Sequence, residues 1–291
     1  MMNTYYRVAG HSFLLSFEKE KLDIVDLDNY VPFRLSAPVN YLFHLLVTDT
    51  SNDEAECEFV GRFDDDIASV VISKFPDGGF RFLIAYPGSE DYCTMNVDAD
   101  FRNAHVKLPD NSEHSTFCLN NCLMLLYALS TTSLDTLLIH ASVVKKGDEG
   151  FIFLGKSGTG KSTHSRLWLE YIAGSALLND DNPVLRIIDG KSYVFGSPWS
   201  GKTHCYLNDK ALLKGIVKLK QAPENKIQRL SLVQAYAAVM PSCSSMRWED
   251  ELMTGVHKSV EKLTMSVGCY QLNCLPDKEA AELSYHTITQ D

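Results

Sequence analysis

The stretch that most strongly indicates the fold of this chain is Gly155-Lys-Ser-Gly-Thr-Gly-Lys-Ser162. It matches in full the phosphate-binding loop pattern Gly-x-x-x-x-Gly-Lys-Ser/Thr. The apolar, β-prone run Gly150–Leu154 precedes the loop, and residues 162–173 follow it with the composition of a helix. A strand, a glycine-rich loop and a helix in this order form the arrangement in which the motif holds a polyphosphate.

Each part of the loop has a physical role in phosphate binding. The glycines let successive backbone N–H groups point inward at the phosphates, and the start of the helix adds its positive dipole end. Lys161 can reach the β- and γ-phosphates, and Ser162 can ligate Mg²⁺. We therefore expect ATP and Mg²⁺ as cofactors. The residues expected to bind the nucleotide are Gly155, Ser157, Gly158, Thr159, Gly160, Lys161, Ser162 and Thr163.

A second stretch, Gly196-Ser-Pro-Trp-Ser-Gly-Lys-Thr203, satisfies the same spacing but is not expected to bind phosphate. Pro198 has no N–H to donate, and Trp199 is bulky where the backbone must approach a ligand. Residues 203–208 read as strand or loop, so no helix is expected after the match. Two interpretations remain, a structural turn and a loop that closes over the active site.

Two adjacent carboxylates, Asp180 and Asp181, end the apolar run that begins at Ala176. One of them can complete the coordination of Mg²⁺, and the other can position an acceptor hydroxyl and take its proton. Adjacent strand residues face opposite sides, which divides these two tasks between them. The alternative interpretation of the pair is a helix cap or a surface turn.

His140 interrupts the apolar run 137–144, which reads as one buried strand. A neighbouring strand can place this imidazole at the end of the Asp180 strand, where it can hydrogen-bond a carboxylate and adjust its pKa. The alternative is a core histidine with satisfied hydrogen bonds. His164 and His204 could be metal ligands, but their spacing is not diagnostic of a zinc site.

A change in residue pattern along the sequence predicts two domains. Residues 1–112 contain short β-like runs between acidic and turn residues, which is typical of a β-rich domain, and the polar stretch 109–113 marks its end. Residues 113–291 mix strands and helices, which predicts an α/β (α+β) nucleotide-binding domain with a mixed sheet. Helices are expected at 116–130, 162–173, 230–240, 248–263 and 277–285, and strands at 137–144, 150–154, 176–181, 184–188, 192–195, 215–219 and 269–275.

Composition excludes several classes of function. The chain has 291 residues, a hydrophobic fraction of 45% and a net charge of −10. An acidic chain is not expected to bind nucleic acid non-specifically. No apolar run is long enough for a membrane span or has the pattern of a signal peptide. The eight cysteines are scattered, which is typical of reduced thiols in a cytoplasmic protein.

Four segments carry a resemblance to a known family: 139–143, 155–163, 178–181 and 196–201. With them the chain resembles the HPr kinase/phosphorylase family and related small kinases, which share a phosphoenolpyruvate carboxykinase-like nucleotide fold. The similar region covers roughly residues 136–205, with a weaker match to the end of the chain. The resemblance implies that Asp180 handles the proton, that Asp181 binds the metal together with Ser162, and that His140 is the partner of the proton-handling carboxylate.

The chain also departs from this family. The Gly-Arg-Asn-Leu signature of true HPr kinases is absent, so HPr itself is not the expected substrate. We expect Lys202 to supply positive charge to the transferred phosphoryl group, with Arg229 as a rival for that role; the alternative is that both are surface residues. The candidate catalytic residues are thus Asp180, His140 and Lys202. The resemblance also suggests a homo-oligomer.

The leading functional prediction is an ATP- and Mg²⁺-dependent kinase that phosphorylates a hydroxyl of a small molecule, a peptide or a protein. One alternative is an ATP-dependent phosphoenolpyruvate carboxykinase, a lyase. That enzyme needs further basic residues, and the region after the carboxylate pair has only three arginines, Arg186, Arg229 and Arg247. The other alternative is a module that senses ATP without chemistry, against which the retained loop, carboxylates and histidine argue.

Overall fold

The computed structural model describes residues 1–18, 25–50, 55–64, 68–86, 88–201 and 203–290. The chain divides into two compact units, Met1–Ser130 and Thr131–Asp291. Both units contain mixed sheets and a few helices, so the chain is a mixed α and β protein, as the sequence predicted. No helix among the described residues combines the length and apolar content needed to cross a membrane.

The first unit is built on one mixed sheet. Its described elements are β1 Met2–Val8, β2 His11–Phe17, β3 His44–Val47, β4 Glu58–Asp64, β5 Ser69–Lys74, β6 Phe80–Ala85, β7 Tyr92–Val97, β8 Asn103–Lys107, a 3₁₀ helix Asp28–Phe33 and α1 Ser112–Ser130. The sheet order is β1-β2-β3-β8-β7-β6-β5-β4. The pairs β2/β3 and β3/β8 are parallel, and the other pairs are antiparallel.

Helix α1 belongs to the first unit through its own contacts. Cys118 and Cys122 are fully buried, and the Cys118 thiol lies 3.6 Å from the carbonyl oxygen of Ile84. The hydroxyl of Tyr127 donates to the carbonyl of Val8 over 3.1 Å. The sequence assigned this helix to the second domain, whereas the compact units divide at its end. The difference arises because the apolar face of α1 is buried against strands that lie earlier in the chain.

The second unit surrounds another mixed sheet. Its described elements are β9 Thr136–Leu138, β10 Ala141–Lys146, β11 Glu149–Leu154, α2 Lys161–Tyr171, β12 Ser175–Asp181, β13 Val184–Ile188, β14 Lys191–Phe195, β15 Lys210–Gln221, β16 Lys226–Arg229, α3 Leu232–Val239, a 3₁₀ helix Met240–Ser242, α4 Asp250–Ser266, β17 Gly268–Cys274 and α5 Lys278–Gln290. The sheet order is β12-β10-β11-β15-β14-β13-β9, and β17 also pairs with β15 and with β16.

Helices cover both faces of this second sheet. Trp168 of α2 and Ala281 of α5 pack with Phe151 and Phe153 in one apolar cluster. Val256 and Val260 of α4 pack in a second cluster, with Ile139 and Ile152 among its members. The phosphate-loop motif lies between β11 and α2 and is therefore held by a strand that is buried on both sides, a placement typical of strands with continuous apolar runs.

The run 137–144 was predicted as a single strand, and that prediction was wrong. It is divided into β9 and β10, with Ile139 and His140 between them. The backbone N–H of Ile139 donates to Pro183, and that of His140 donates to Ser242 over 2.8 Å. The chain changes neighbours at this point, since β9 pairs with β13 while β10 pairs with β11 and β12. Periodicity cannot show such a change, because both halves are equally apolar.

Candidate active site

The phosphate-loop motif joins β11 to α2, as the sequence predicted. Gly158 has φ 76° and Gly160 has φ 105°, a left-handed conformation that favours glycine. Helix α2 begins at Lys161, so the loop ends at a helix N-terminus whose backbone N–H groups have no partner within the helix. The side chain of Ser162 is exposed in the first turn. Free N–H groups at a helix start are an arrangement that favours anions.

Lys161 connects the loop to a neighbouring strand. Its ammonium donates to the carbonyl of Gly155 over 3.0 Å and contacts Nε2 of His140 at 2.9 Å. Burial lowers the pKa of Lys161, and the carboxylates of Asp181 and Asp180 oppose this by favouring the charged form. The ammonium therefore lies in the field of both carboxylates.

His140 bridges Lys161 and Asp181. Its Nδ1 lies 3.0 Å from Oδ1 of Asp181. An ammonium can only donate, so Nε2 of His140 accepts from Lys161, and Nδ1–H is assigned as the donor to Asp181. The sequence placed this histidine toward Asp180 instead, and the structure corrects that pairing. The reason is register, since Ala141, the next residue after His140, is the strand partner of Asp181.

Asp180 faces a different set of groups. Its Oδ2 accepts a hydrogen bond of 2.8 Å from the hydroxyl of Thr203. Its Oδ1 is buried and has no hydrogen-bond partner among the described residues. Burial, followed by the charge of Asp180, raises the pKa of the Cys205 thiol to about 11. The two carboxylates thus have separate partners, as expected for neighbouring residues of a strand.

The stretch Gly196–Gly201 packs against the two carboxylates. Asn179 is fully buried, donates to Ser197 Oγ over 3.1 Å and accepts from the backbone N–H of Asp181 over 3.0 Å. A Cβ placed on Gly201 would lie 3.3 Å from Cγ of Asp181, so a larger residue would press on this carboxylate. Residues 203–209 form no helix, as the sequence predicted, and of the two predicted alternatives, strand and loop, they form a loop. The second match is therefore a wall of the carboxylate site.

Asn179 and Thr203 were not among the predicted site residues. The signal for Asn179 is an amide inside an apolar strand next to two carboxylates, because a buried amide requires partners for its donors and its acceptor. The sequence carried no signal for Thr203, because its contact with Asp180 joins two segments that are distant along the chain.

A cavity of about 600 Å³ lies beside the phosphate loop. Its wall is mostly apolar on the side formed by Leu167, Leu219 and Pro276, and the loop contributes Gly158 and Thr163. A largely apolar cavity with a few polar groups at one side is typical of a small-molecule site.

Arg229 and Lys202 were the two candidates for stabilising the transferred phosphoryl group. Arg229, the rival for the phosphoryl-stabilising role, lines a separate cavity of about 390 Å³ together with Lys214 and Gly268. Lys202 lies outside the described residues. Within the described ranges no group of three or more His, Cys, Asp or Glu side chains could hold a metal ion.

Comparison with protein-family models finds no match to this chain. Comparison with curated proteins also finds no match.

Proposed function

We propose that this chain is an ATP- and Mg²⁺-dependent kinase that transfers the γ-phosphoryl group to a hydroxyl of a small molecule, a peptide or a protein. In this proposal residues 131–291 form an HPr-kinase-like nucleotide domain. The observation that carries the proposal is the continuous chain Lys161–His140–Asp181, which joins the glycine-rich loop to the carboxylate pair. Kinases need a phosphate-binding loop and acidic groups at one place, because their catalysis rests on positioning and electrostatics.

The loop and its neighbouring cavity fit a nucleoside triphosphate. The left-handed glycines Gly158 and Gly160 permit backbone N–H groups to converge on phosphates. The apolar wall at Leu167, Leu219 and Pro276 can cover the flat face of a base, since burial of apolar surface favours binding. We infer that the phosphates lie at the loop and the base lies in the cavity.

Ser162 and Asp181 are the residues that would hold Mg²⁺. A nucleotide-bound Mg²⁺ takes most of its ligands from phosphates and water, so two protein ligands suffice. Asp181 remains 21% exposed in its side chain, and a carboxylate accepts several bonds, so its contact with His140 leaves capacity for a cation. When bound, the ion supplies positive charge to the β- and γ-phosphates.

Asp180 is the proposed general base. A base must lie within hydrogen-bond reach of the hydroxyl that it deprotonates, roughly 2.6–3.2 Å. The 2.8 Å bond from the hydroxyl of Thr203 shows that Oδ2 of Asp180 accepts an alcohol in that range. Oδ1, buried and without a partner among the described residues, leaves this carboxylate only partly satisfied.

The decisive experiment compares Mg-ATP binding by Lys161→Ala and Lys156→Ala. Both lysines belong to the loop, but Lys156 is exposed and occupies a position where the motif accepts any residue. A charge-assisted hydrogen bond contributes roughly 1.5–3 kcal/mol, so Lys161→Ala should weaken binding by about 10- to 100-fold in calorimetric titration. Lys156→Ala should bind like the unchanged chain. Equal affinities for the two variants would contradict the proposal.

The assignment of the base has its own test. Asp180→Asn keeps the shape of the side chain and should largely retain Mg-ATP affinity, because Lys161 keeps its contacts with Gly155 and His140. Phosphoryl transfer to an added alcohol should fall by roughly 10²–10⁴-fold, the usual range for general acid–base groups. Near-normal transfer by this variant, followed with labelled ATP, would remove Asp180 from the mechanism.

A further inference from the structure

A hydroxyl of the chain itself already lies on the proposed base. The Oγ1 of Thr203 donates to Oδ2 of Asp180 over 2.8 Å, the contact that an acceptor alcohol makes before transfer. We propose that Thr203 is an internal phosphoryl acceptor and that the kinase phosphorylates this residue within the same molecule. The inference rests on the proposed function, because it uses the same carboxylate and the same nucleotide.

The surroundings of Thr203 suit an acceptor better than a structural tether. Thr203 is exposed, so its hydroxyl can be reached from solvent. Its carbonyl accepts a bond of 2.6 Å from the hydroxyl of Ser200, which helps to fix the backbone while the side chain points to Asp180. An exposed hydrogen bond adds little to stability, since both groups would otherwise bond to water. The hydrogen bond between Thr203 and Asp180 therefore contributes little to the stability of the fold.

The phosphate loop is connected to the same carboxylate pair through Lys161. The charge of Asp180 acts on the ammonium of Lys161, which is the loop residue expected at the β- and γ-phosphates. His140 links that ammonium to Asp181. The acceptor hydroxyl, the base and the phosphate-binding lysine thus belong to one continuous site.

The transfer balances as an ordinary displacement at phosphorus. The bond between the γ-phosphorus and the bridging oxygen of ATP breaks, and a bond from that phosphorus to Oγ1 of Thr203 forms. The hydroxyl proton passes to Oδ2 of Asp180, and ADP leaves with the electron pair of the broken bond. Asp180 then releases this proton to solvent, and its carboxylate repels the phosphothreonine, which carries about −1.5 to −2 charges. The modified segment leaves the base, which frees Asp180 for an external alcohol.

The test uses the full chain with Mg²⁺ and γ-labelled ATP, without another acceptor, and locates the label by peptide mass spectrometry. We expect label on Thr203, with a first-order rate constant that does not depend on protein concentration. Thr203→Val should carry no label at this position, and Thr203→Ser should carry it on the new hydroxyl. Thr289→Val, which changes an exposed threonine of α5, is the matched control and should be labelled like the unchanged chain.

Several results would overturn the inference. Label on a different residue would do so, as would a rate constant that rises with protein concentration. A chain that binds Mg-ATP through Lys161 and phosphorylates added alcohols, but never itself, would overturn this inference and leave the proposed function intact. If the unchanged chain and Lys161→Ala bind ATP with equal affinity, the proposed function and this inference are both overturned.

Discussion

At the scale of a single residue, burial controls the protonation of His164. The indole N–H of Trp168 donates to Nε2 of His164 over 3.2 Å, and the hydroxyl of Ser284 lies 3.1 Å from the same nitrogen. Burial lowers the pKa of His164 to about 4, because the imidazolium form would lose its hydration. This ring is therefore a neutral hydrogen-bond acceptor that ties α2 to α5.

The shifted pKa of His164 makes stability depend on pH. The folded-state pKa is about 4 and the ordinary value is 6.5, so between these pH values the unfolded chain binds the extra proton. The resulting stability is fully present above pH 6.5 and is lost as the pH falls toward 4. The shift corresponds to about 3 kcal/mol of unfolding free energy.

We expect His164→Gln to flatten the dependence of unfolding free energy on pH in this range, as measured by urea unfolding at a series of pH values. The glutamine oxygen can still accept from the indole of Trp168, so the comparison isolates the titrating group. Parallel curves for the unchanged chain and the variant would contradict the assignment of a depressed pKa to His164.

At the scale of an element, Gly255 allows α4 to pack closely against the backbone of Thr132. A Cβ on this residue would lie 2.4 Å from the carbonyl oxygen of Thr132, which is backbone and cannot rotate away. Glycine in a helix interior costs about 1 kcal/mol relative to alanine, so propensity alone predicts that Gly255→Ala stabilises the protein. The steric contact outweighs this propensity and makes Gly255→Ala destabilising, because relieving the contact requires the helix to move.

We expect Gly255→Ala to lower the unfolding free energy by roughly 1–3 kcal/mol, the usual range for overpacking. Thr254→Ala is the matched control, since it changes the preceding, exposed position of the same helix. It should leave stability unchanged or slightly raised. Chemical denaturation of both variants measures the difference, and a stabilised Gly255→Ala would show that α4 does not approach Thr132 this closely.

At the scale of the whole molecule, the tryptophans report on one unit only. The three tryptophans of the chain are Trp168, Trp199 and Trp248, and all lie within the unit Thr131–Asp291. Their fluorescence therefore follows unfolding of the unit that contains the phosphate loop. Far-UV circular dichroism follows both units, because each contains strands and helix.

A ligand that binds only the folded state stabilises it by about 2.7 kcal/mol at a concentration 100 times its Kd. We expect Mg-ATP at 100 times its Kd to raise the unfolding free energy of the unchanged chain by that amount, as measured by tryptophan fluorescence during chemical denaturation. Lys161→Ala, with its 10- to 100-fold weaker binding, should show a shift of only about 0.4–1.4 kcal/mol at the same ATP concentration. A shift of equal size in both proteins would mean that ATP stabilises the chain without using the loop lysine.

The sequence by itself determined the features that contiguous residues encode. The loop between β11 and α2 was predicted in full, because its glycines, its lysine and its helix start are neighbours along the chain. The strands of the β13/β14 hairpin were predicted too, and Asp189-Gly190 between them has the composition and the positive φ values that a tight hairpin turn requires. Local sterics are sufficient for features of this kind.

Only the tertiary structure decided which side chains meet. The contact of His140 with Asp181 depends on the register of β10 with β12, and its contact with Lys161 depends on the position of α2. The hydrogen bond from Thr203 to Asp180 joins two segments that no local pattern relates. The strand order and register that create these contacts follow from packing both faces of the sheet, a property of the assembled core and not of any single segment.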